Sequence, residues 1–222
     1  MRKNIFIVAL CLFASVANAQ IRYGIEIGGA ASRGGIMDKD AFGYRIGGVM
    51  EIPLSRENTS FDFLETGLFF RNRTLNSLES YHKGANFDYI SFNLNYLELP
   101  IVFFRELSPN RRLRTFFGYG FIFNYGLGGN AQLTGIAGNE NNFDIRTESP
   151  FKNSTIVAGE NSFDFQRFVP FNVGATLKMN VAFNRFYAGV GMNFFVLPFN
   201  SEYVPRANFM DAEFSISYRF GK

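Results

Sequence analysis

The chain has 222 residues, 47% of them apolar and 18% charged, with 22 Lys+Arg against 19 Asp+Glu. Arg2 and Lys3, an apolar stretch over residues 5–16 and the small-x-small site Ala17, Asn18, Ala19 predict a signal peptide at residues 1–19. Its removal takes away Cys11, the single cysteine, and leaves a nearly neutral mature chain; this excludes disulfides and thiol chemistry and gives no reason to expect nucleic acid as a partner.

Residues 20–222 form the expected mature domain, and within it no stretch approaches the ~18 consecutive apolar residues of a membrane helix. What recurs instead is strict period-two alternation, the mark of strands with two different faces. The first segment, from 21 to about 32, sets Ile21, Tyr23, Ile25 and Ile27 against Arg22, Gly24, Glu26 and Gly28. The second, 42–52, sets Phe42, Tyr44, Ile46, Met50 and Ile52 against Gly43, Arg45, Gly47 and Glu51. In the third, about 61–72, Leu64, Leu68 and Phe70 oppose Glu65, Gly67 and Arg71, while Phe61, Phe63 and Phe69 fall on the polar parity.

The fourth segment places Ile90, Phe92, Leu94 and Tyr96 on the apolar parity and then changes phase at Leu97, Glu98, Leu99, which predicts a bulge or a membrane exit before Pro100. The fifth, 117–127, alternates Phe117, Tyr119, Phe121, Phe123, Tyr125 and Leu127 with Gly118, Gly120, Ile122, Asn124 and Gly126. The sixth sets Phe171, Val173, Ala175, Leu177 and Met179 against Asn172, Gly174, Thr176 and Lys178. In the seventh, Phe186, Ala188, Val190, Met192, Phe194 and Val196 oppose Tyr187, Gly189, Gly191 and Asn193. The eighth closes the chain with Phe214, Ile216, Tyr218 and Phe220 opposite Glu213, Ser215, Ser217 and Arg219.

Connections near 33–41, 73–89, 128–165 and 197–208 are the longer ones, and those near 53–60, 105–113 and 180–185 are mostly shorter. This asymmetry, with about eight segments each close to the length of a tilted membrane strand, predicts an all-β fold: an eight-stranded antiparallel up-and-down transmembrane β-barrel with both termini on the periplasmic side. A soluble barrel would have to bury the bulky parity. Roughly three dozen large apolar residues are far too many for the interior of eight strands, so they are assigned to lipid. The glycine-rich parity becomes the interior, where Arg22, Glu26, Arg45, Glu51, Glu65, Arg71, Lys178, Glu213 and Arg219 are expected to pair as a structural polar network.

Several stretches resemble the PorT-like outer-membrane β-barrel family of Gram-negative bacteria: LETGLFFR at 64–71, YLELPIVF at 96–103, FGYGFIFNYGLGG at 117–129, FNVGATLKM at 171–179 and the terminal FSISYRFGK. The resemblance implies a small antiparallel barrel in the outer membrane, and its founding members imply a link to type IX secretion and gliding motility. It brings no catalytic motif. The long 128–165 connection departs from a minimal barrel.

Candidate chemistry is sparse. His82, the only histidine, lies near Ser77, Glu79 and Ser80, the residue types of an activated hydroxyl in a lipid deacylase. A solvated loop is the simpler reading. Asn139, Glu140, Asn141, Asn142 and Asp144 are oxygen-rich but lack the spacing of a calcium loop. No catalytic, cofactor or metal site is therefore expected. The expectation is a non-enzymatic outer-membrane component with lipid and unidentified envelope proteins as partners. The alternatives are a surface-binding barrel that uses the 128–165 loop, with Phe143, Phe151, Phe163 and Phe165 as anchors or as rim packing, and a lipid-modifying enzyme.

Overall fold

Along residues 171–183 of the computed structural model, exposed and buried side chains alternate almost without a break. The structure describes residues 21–34, 37–54, 61–82, 85–108, 113–137, 141–147, 150–151, 154–158, 161–165, 169–197 and 207–220. Side chains are described for 21–32, 42–54, 61–74, 91–108, 113–132, 134–135, 150–151, 169–195 and 210–220. The predicted signal peptide lies outside the described residues.

The strands in chain order are β1 (Arg22–Gly34), β2 (Met37–Pro53), β3 (Phe63–His82), β4 (Ala85–Ser108), β5 (Arg114–Ala137), β6 (Asn141–Thr147), β7 (Ser154–Ala158), β8 (Asn161–Phe165), β9 (Phe171–Phe183), β10 (Phe186–Leu197) and β11 (Ala207–Phe220). β1, β2, β3, β4, β5, β9, β10 and β11 pair in that order, all antiparallel, and β11 returns to β1 from Tyr23↔Phe220 to Gly34↔Phe209. The result is a closed eight-stranded all-antiparallel barrel, in which ring closure leaves no unpaired strand edge in the lipid-facing wall.

The outward face carries the bulky parity. Ile25, Phe121, Val190 and Ile216 are each more than half exposed, as are many of their neighbours two residues along each strand. On β4 the outward residues Leu97, Leu99, Ile101 and Phe103 are bracketed by Asn95 and Arg105. Ten residues of strand cover about 33 Å, which at a barrel strand's usual tilt is about 25 Å of height, the thickness of an outer-membrane apolar band. Past that band the outward side chains turn polar: Asn72 Nδ2 donates to Asn93 Oδ1 at 2.5 Å and to Asn95 Oδ1 at 2.7 Å.

Two expectations need correction. The connections read as loops at 73–89 and 128–165 contain much strand: β3 and β4 run on to His82↔Ala85, β5 continues to Ala137, and β6 pairs with β5 beyond the barrel wall. Beyond the membrane a strand has no lipid on either side, so the apolar contrast that reveals alternation is missing there.

The predicted phase change in β4 is also misplaced. Phe92, Leu94, Tyr96, Glu98, Val102 and Phe104 all point inward and are nearly fully buried, so β4 keeps one parity throughout. The irregularity lies opposite, in β5, where Asn95 pairs with Gly128 but Tyr96 pairs with Gly126, leaving Leu127 as an extra residue. The inward parity of β5 switches there, from Asn124 before the bulge to Ala131 after it. Gly129, at φ 146°, occupies backbone that side chains rarely adopt.

Candidate functional site

The barrel lumen is filled in three layers. At the end where β1 begins, β11 finishes and β9 turns into β10, Phe63, Val102, Phe104, Phe116, Ala182 and Tyr187 form a buried cluster. Phe63 stacks on Phe104 with ring centroids 5.0 Å apart and meets Phe116 edge-on at 5.3 Å. Glycines on neighbouring strands make room for such rings: a Cβ at Gly118 would stand 2.6 Å from Phe104, and Gly174 gives way in the same manner to Phe195.

The middle layer is ionic. Arg45 on β2 sits 2.6 Å from Glu213, 3.0 Å from Glu26 and 3.0 Å from Glu98. Arg71 on β3 reaches Glu98 at 2.8 Å, Glu213 at 3.0 Å and Asp211 at 2.7 Å. Arg219 on β11 donates through Nε to Glu51 at 3.0 Å and through Nη2 to Glu65 at 2.8 Å. Lys178 on β9 lies 3.5 Å from Glu65 and 3.8 Å from both Glu26 and Glu213. Arg22, nearer the rim and more exposed, lies 3.6 Å from Glu51 and donates to the Tyr187 hydroxyl at 3.2 Å. All nine residues singled out from sequence are thus brought into one connected network.

Sequence reasoning missed three members. Glu98 was set aside by the supposed phase change in β4. Arg73, 2.6 Å from Asp211, lies one residue past the expected end of the third segment at Asn72, and Asp211 lies two residues before Glu213, the first residue assigned to the eighth. Both share the parity of neighbours already assigned inward, Arg71 and Glu213, so extending each strand by one pleat would have found them. With them, the cations Arg22, Arg45, Arg71, Arg73, Lys178 and Arg219 equal in number the anions Glu26, Glu51, Glu65, Glu98, Asp211 and Glu213. Asn193 donates to Glu213 at 3.0 Å and accepts from Thr176 at 2.6 Å, which fixes the central carboxylate from a further side. Burying charges is costly unless they are paired, and here the partners come from β1, β2, β3, β4, β9 and β11 at once.

The third layer closes the end from which β3, β4 and β5 extend. The Arg73 guanidinium lies 4.4 Å from the centre of the Phe195 ring, and Tyr96 meets Phe151 edge-on at 5.6 Å. Phe151 belongs to the 128–165 connection yet is buried, and it packs so closely over Gly126 that an added Cβ there would stand 2.5 Å from the ring. This residue therefore folds inward as rim packing. The side chains of Phe143, Phe163 and Phe165 lie outside those described.

Ser77, Glu79, Ser80 and His82 belong to the end of β3, but their side chains lie outside those described, as do those of Asn141, Asn142 and Asp144 in β6. Asn139 and Glu140 lie outside the described residues altogether. Among the described residues no group of His, Cys, Asp and Glu side chains is arranged to hold a metal ion, and no helix is long and apolar enough to cross a membrane.

The sequence model of the family described as "Outer membrane protein beta-barrel domain" matches residues 13–203. No curated protein matches the chain significantly. Among solved structures, Ail, the attachment invasion locus protein of Yersinia pestis, in complex with the heparin analogue sucrose octasulfate, is similar at 12% identity and a TM-score of 0.42, covering 90% of this chain and 99% of its own. Neisserial surface protein A matches at 8% identity and 0.44, covering 89% and 97%. The outer membrane enzyme PagL matches at 9% and 0.42, covering 87% and 98%.

Proposed function

We propose a structural role in the envelope for this chain, which belongs to the outer membrane protein beta-barrel domain family and resides in the outer membrane. It acts as a closed, non-enzymatic barrel that anchors an envelope assembly, of the kind the PorT-like resemblance associates with secretion or gliding. The observation that carries this reading is the lumen. A barrel filled from wall to wall by balanced ion pairs between two aromatic layers is suited neither to conduct solutes nor to house a reacting group.

Crosslinking in the native envelope, followed by partner identification and by profiling of secreted proteins after deletion of the gene, tests the role. Reproducible envelope partners and a secretion or gliding defect support it; a solitary barrel with an unchanged secreted profile sinks it.

A second reading has its own support. β3, β4 and β5 run 20, 24 and 24 residues, about twice what a membrane crossing needs, so a sheet projects beyond the lipid. Rigid projecting elements are common carriers of recognition. Shortening the hairpin between β3 and β4 distinguishes the readings: lost binding to surfaces with intact assembly favours recognition, and lost assembly favours the anchor.

A further inference from the structure

At the short-turn end of the barrel, the hairpin between β9 and β10 turns through only Asn184 and Arg185, with Phe183 paired to Phe186. Asn184 takes a φ of 54°, which asparagine tolerates well, and the Arg219 backbone N–H donates to the Arg185 carbonyl at 2.9 Å. The turn is thereby fastened onto β11. Beside it opens a cleft of about 540 Å³, whose cationic wall is Arg22, Arg185 and Arg219 and whose remaining wall includes Tyr187, Phe186 and Tyr218.

The charges in this cleft are unevenly compensated. Glu51, Glu65 and, at 3.8 Å, Glu26 meet Arg219 from the lumen side, and Glu51 also lies 3.6 Å from Arg22. Arg185 is exposed, and no ion pair among the described residues engages it. Arg219 is 2% exposed and lends the cleft positive charge from beneath its surface.

The apolar side of the cleft continues directly into the lipid-facing wall. Phe186 meets Tyr218 edge-on at 5.0 Å, and Tyr218 meets Phe220 in the same way at 5.2 Å. Phe186 and Phe220 are about half exposed, so this aromatic corner borders both the arginines and the bilayer. A ligand that fits both surfaces carries an anionic oxygen cluster at one end and hydrocarbon at the other.

We infer that this rim cleft binds the phosphate group of a phospholipid, with Arg22 and Arg185 around the phosphate oxygens, Arg219 adding positive charge beneath them, and the acyl chains along Phe186, Tyr218 and Phe220. Guanidinium forks match phosphate geometry, and the cleft's volume lies in the range of ordinary ligand sites. This goes beyond the anchoring role, since a barrel with any partner or none would hold the lipid.

The test uses the full mature protein in detergent micelles, read by native mass spectrometry with phosphatidylglycerol, phosphatidylethanolamine and a diacylglycerol of the same chains. The two phospholipids are expected to be retained about tenfold better than diacylglycerol, the scale of one charge-assisted hydrogen bond. Arg185→Gln, on an exposed turn, is expected to cut that retention several-fold while leaving the compact barrel's gel mobility intact; Arg22→Gln added to it deepens the loss. If the double variant does not fold, the single variant alone decides. Equal retention of all three lipids, or retention unchanged by Arg185→Gln, overturns the inference. Retained lipid that resists millimolar inorganic phosphate identifies the lipid headgroup as the ligand. Displacement by phosphate together with loss of the preference over diacylglycerol assigns the cleft to the free anion and overturns the lipid assignment.

Discussion

Glu213 Oε1 accepts a hydrogen bond from Arg45 Nη1 at 2.6 Å, linking residues 168 apart in sequence on strands separated by β1. The same carboxylate accepts from Arg71 at 3.0 Å through its other oxygen. Glu213→Ala therefore leaves two buried guanidiniums, with Lys178 nearby, short of counter-charge. The expected loss is about 3 kcal/mol, because Glu26, Glu98 and Asp211 remain but one buried positive charge of the cluster is left uncompensated. A lowered urea midpoint for the barrel refolded in lipid vesicles checks this, and an unchanged midpoint contradicts it.

Both ends of the lumen are closed independently. Phe151→Ala is expected to open only the end under the extended strands, so hydrogen exchange should quicken at Asn124 and Asn172, which hold one another at 3.1 Å beneath it. Planar-bilayer conductance should stay at the level of bare lipid, since the Phe63, Phe104, Phe116 and Tyr187 layer is untouched. A steady conductance in this variant would show that the inner aromatic layer does not seal.

The β5 bulge makes its own prediction. Gly129→Val places a branched side chain at φ 146°, where a Cβ would also run into the Asn93 carbonyl of β4. A cost of roughly 1–3 kcal/mol is expected from the backbone strain alone. Gly48→Ala serves as the control, since a Cβ at Gly48 meets nothing nearer than 4.0 Å. Comparable destabilisation by the two would contradict the bulge.

Lipid contact is tested on one strand. Phe121→Arg, in the middle of the outward belt of β5, is expected to cost about 2–4 kcal/mol, the price of a cation at bilayer mid-depth. Asn130→Arg, exposed and past the bulge, is expected to change stability by less than about 0.5 kcal/mol. Folding titrations into vesicles read both, and equal effects would place the belt elsewhere.

What could be read from sequence follows the chemistry of each surface. β9, β10 and β11 were legible because lipid lies on one side and a polar lumen on the other, so Leu177 and Lys178 could not be exchanged. Phe92, Leu94 and Tyr96 were misassigned outward because bulk was equated with lipid, whereas at their level the lumen itself is aromatic around Phe151 and Phe195. The bulge at Gly126 to Gly128 was hidden because both parities there contain glycine. Arg73 and Asp211 escaped for want of one more pleat. Nothing in the sequence announced the rim cleft: Arg22, Arg185 and Arg219 come from three separate strand ends that only ring closure assembles.

The distribution of the lumen's charges along the chain has a bearing on how the protein is made. β2 and β3 bring Arg45, Arg71 and Arg73 into the barrel early in the sequence, while Asp211 and Glu213 arrive only with the final strand. Without β11, Arg45 and Arg71 keep Glu26 and Glu98 from β1 and β4, but Arg73 loses the carboxylate it meets and the cluster loses two of its six anions. The charge balance of the lumen is therefore complete only when β11 closes the ring against β1.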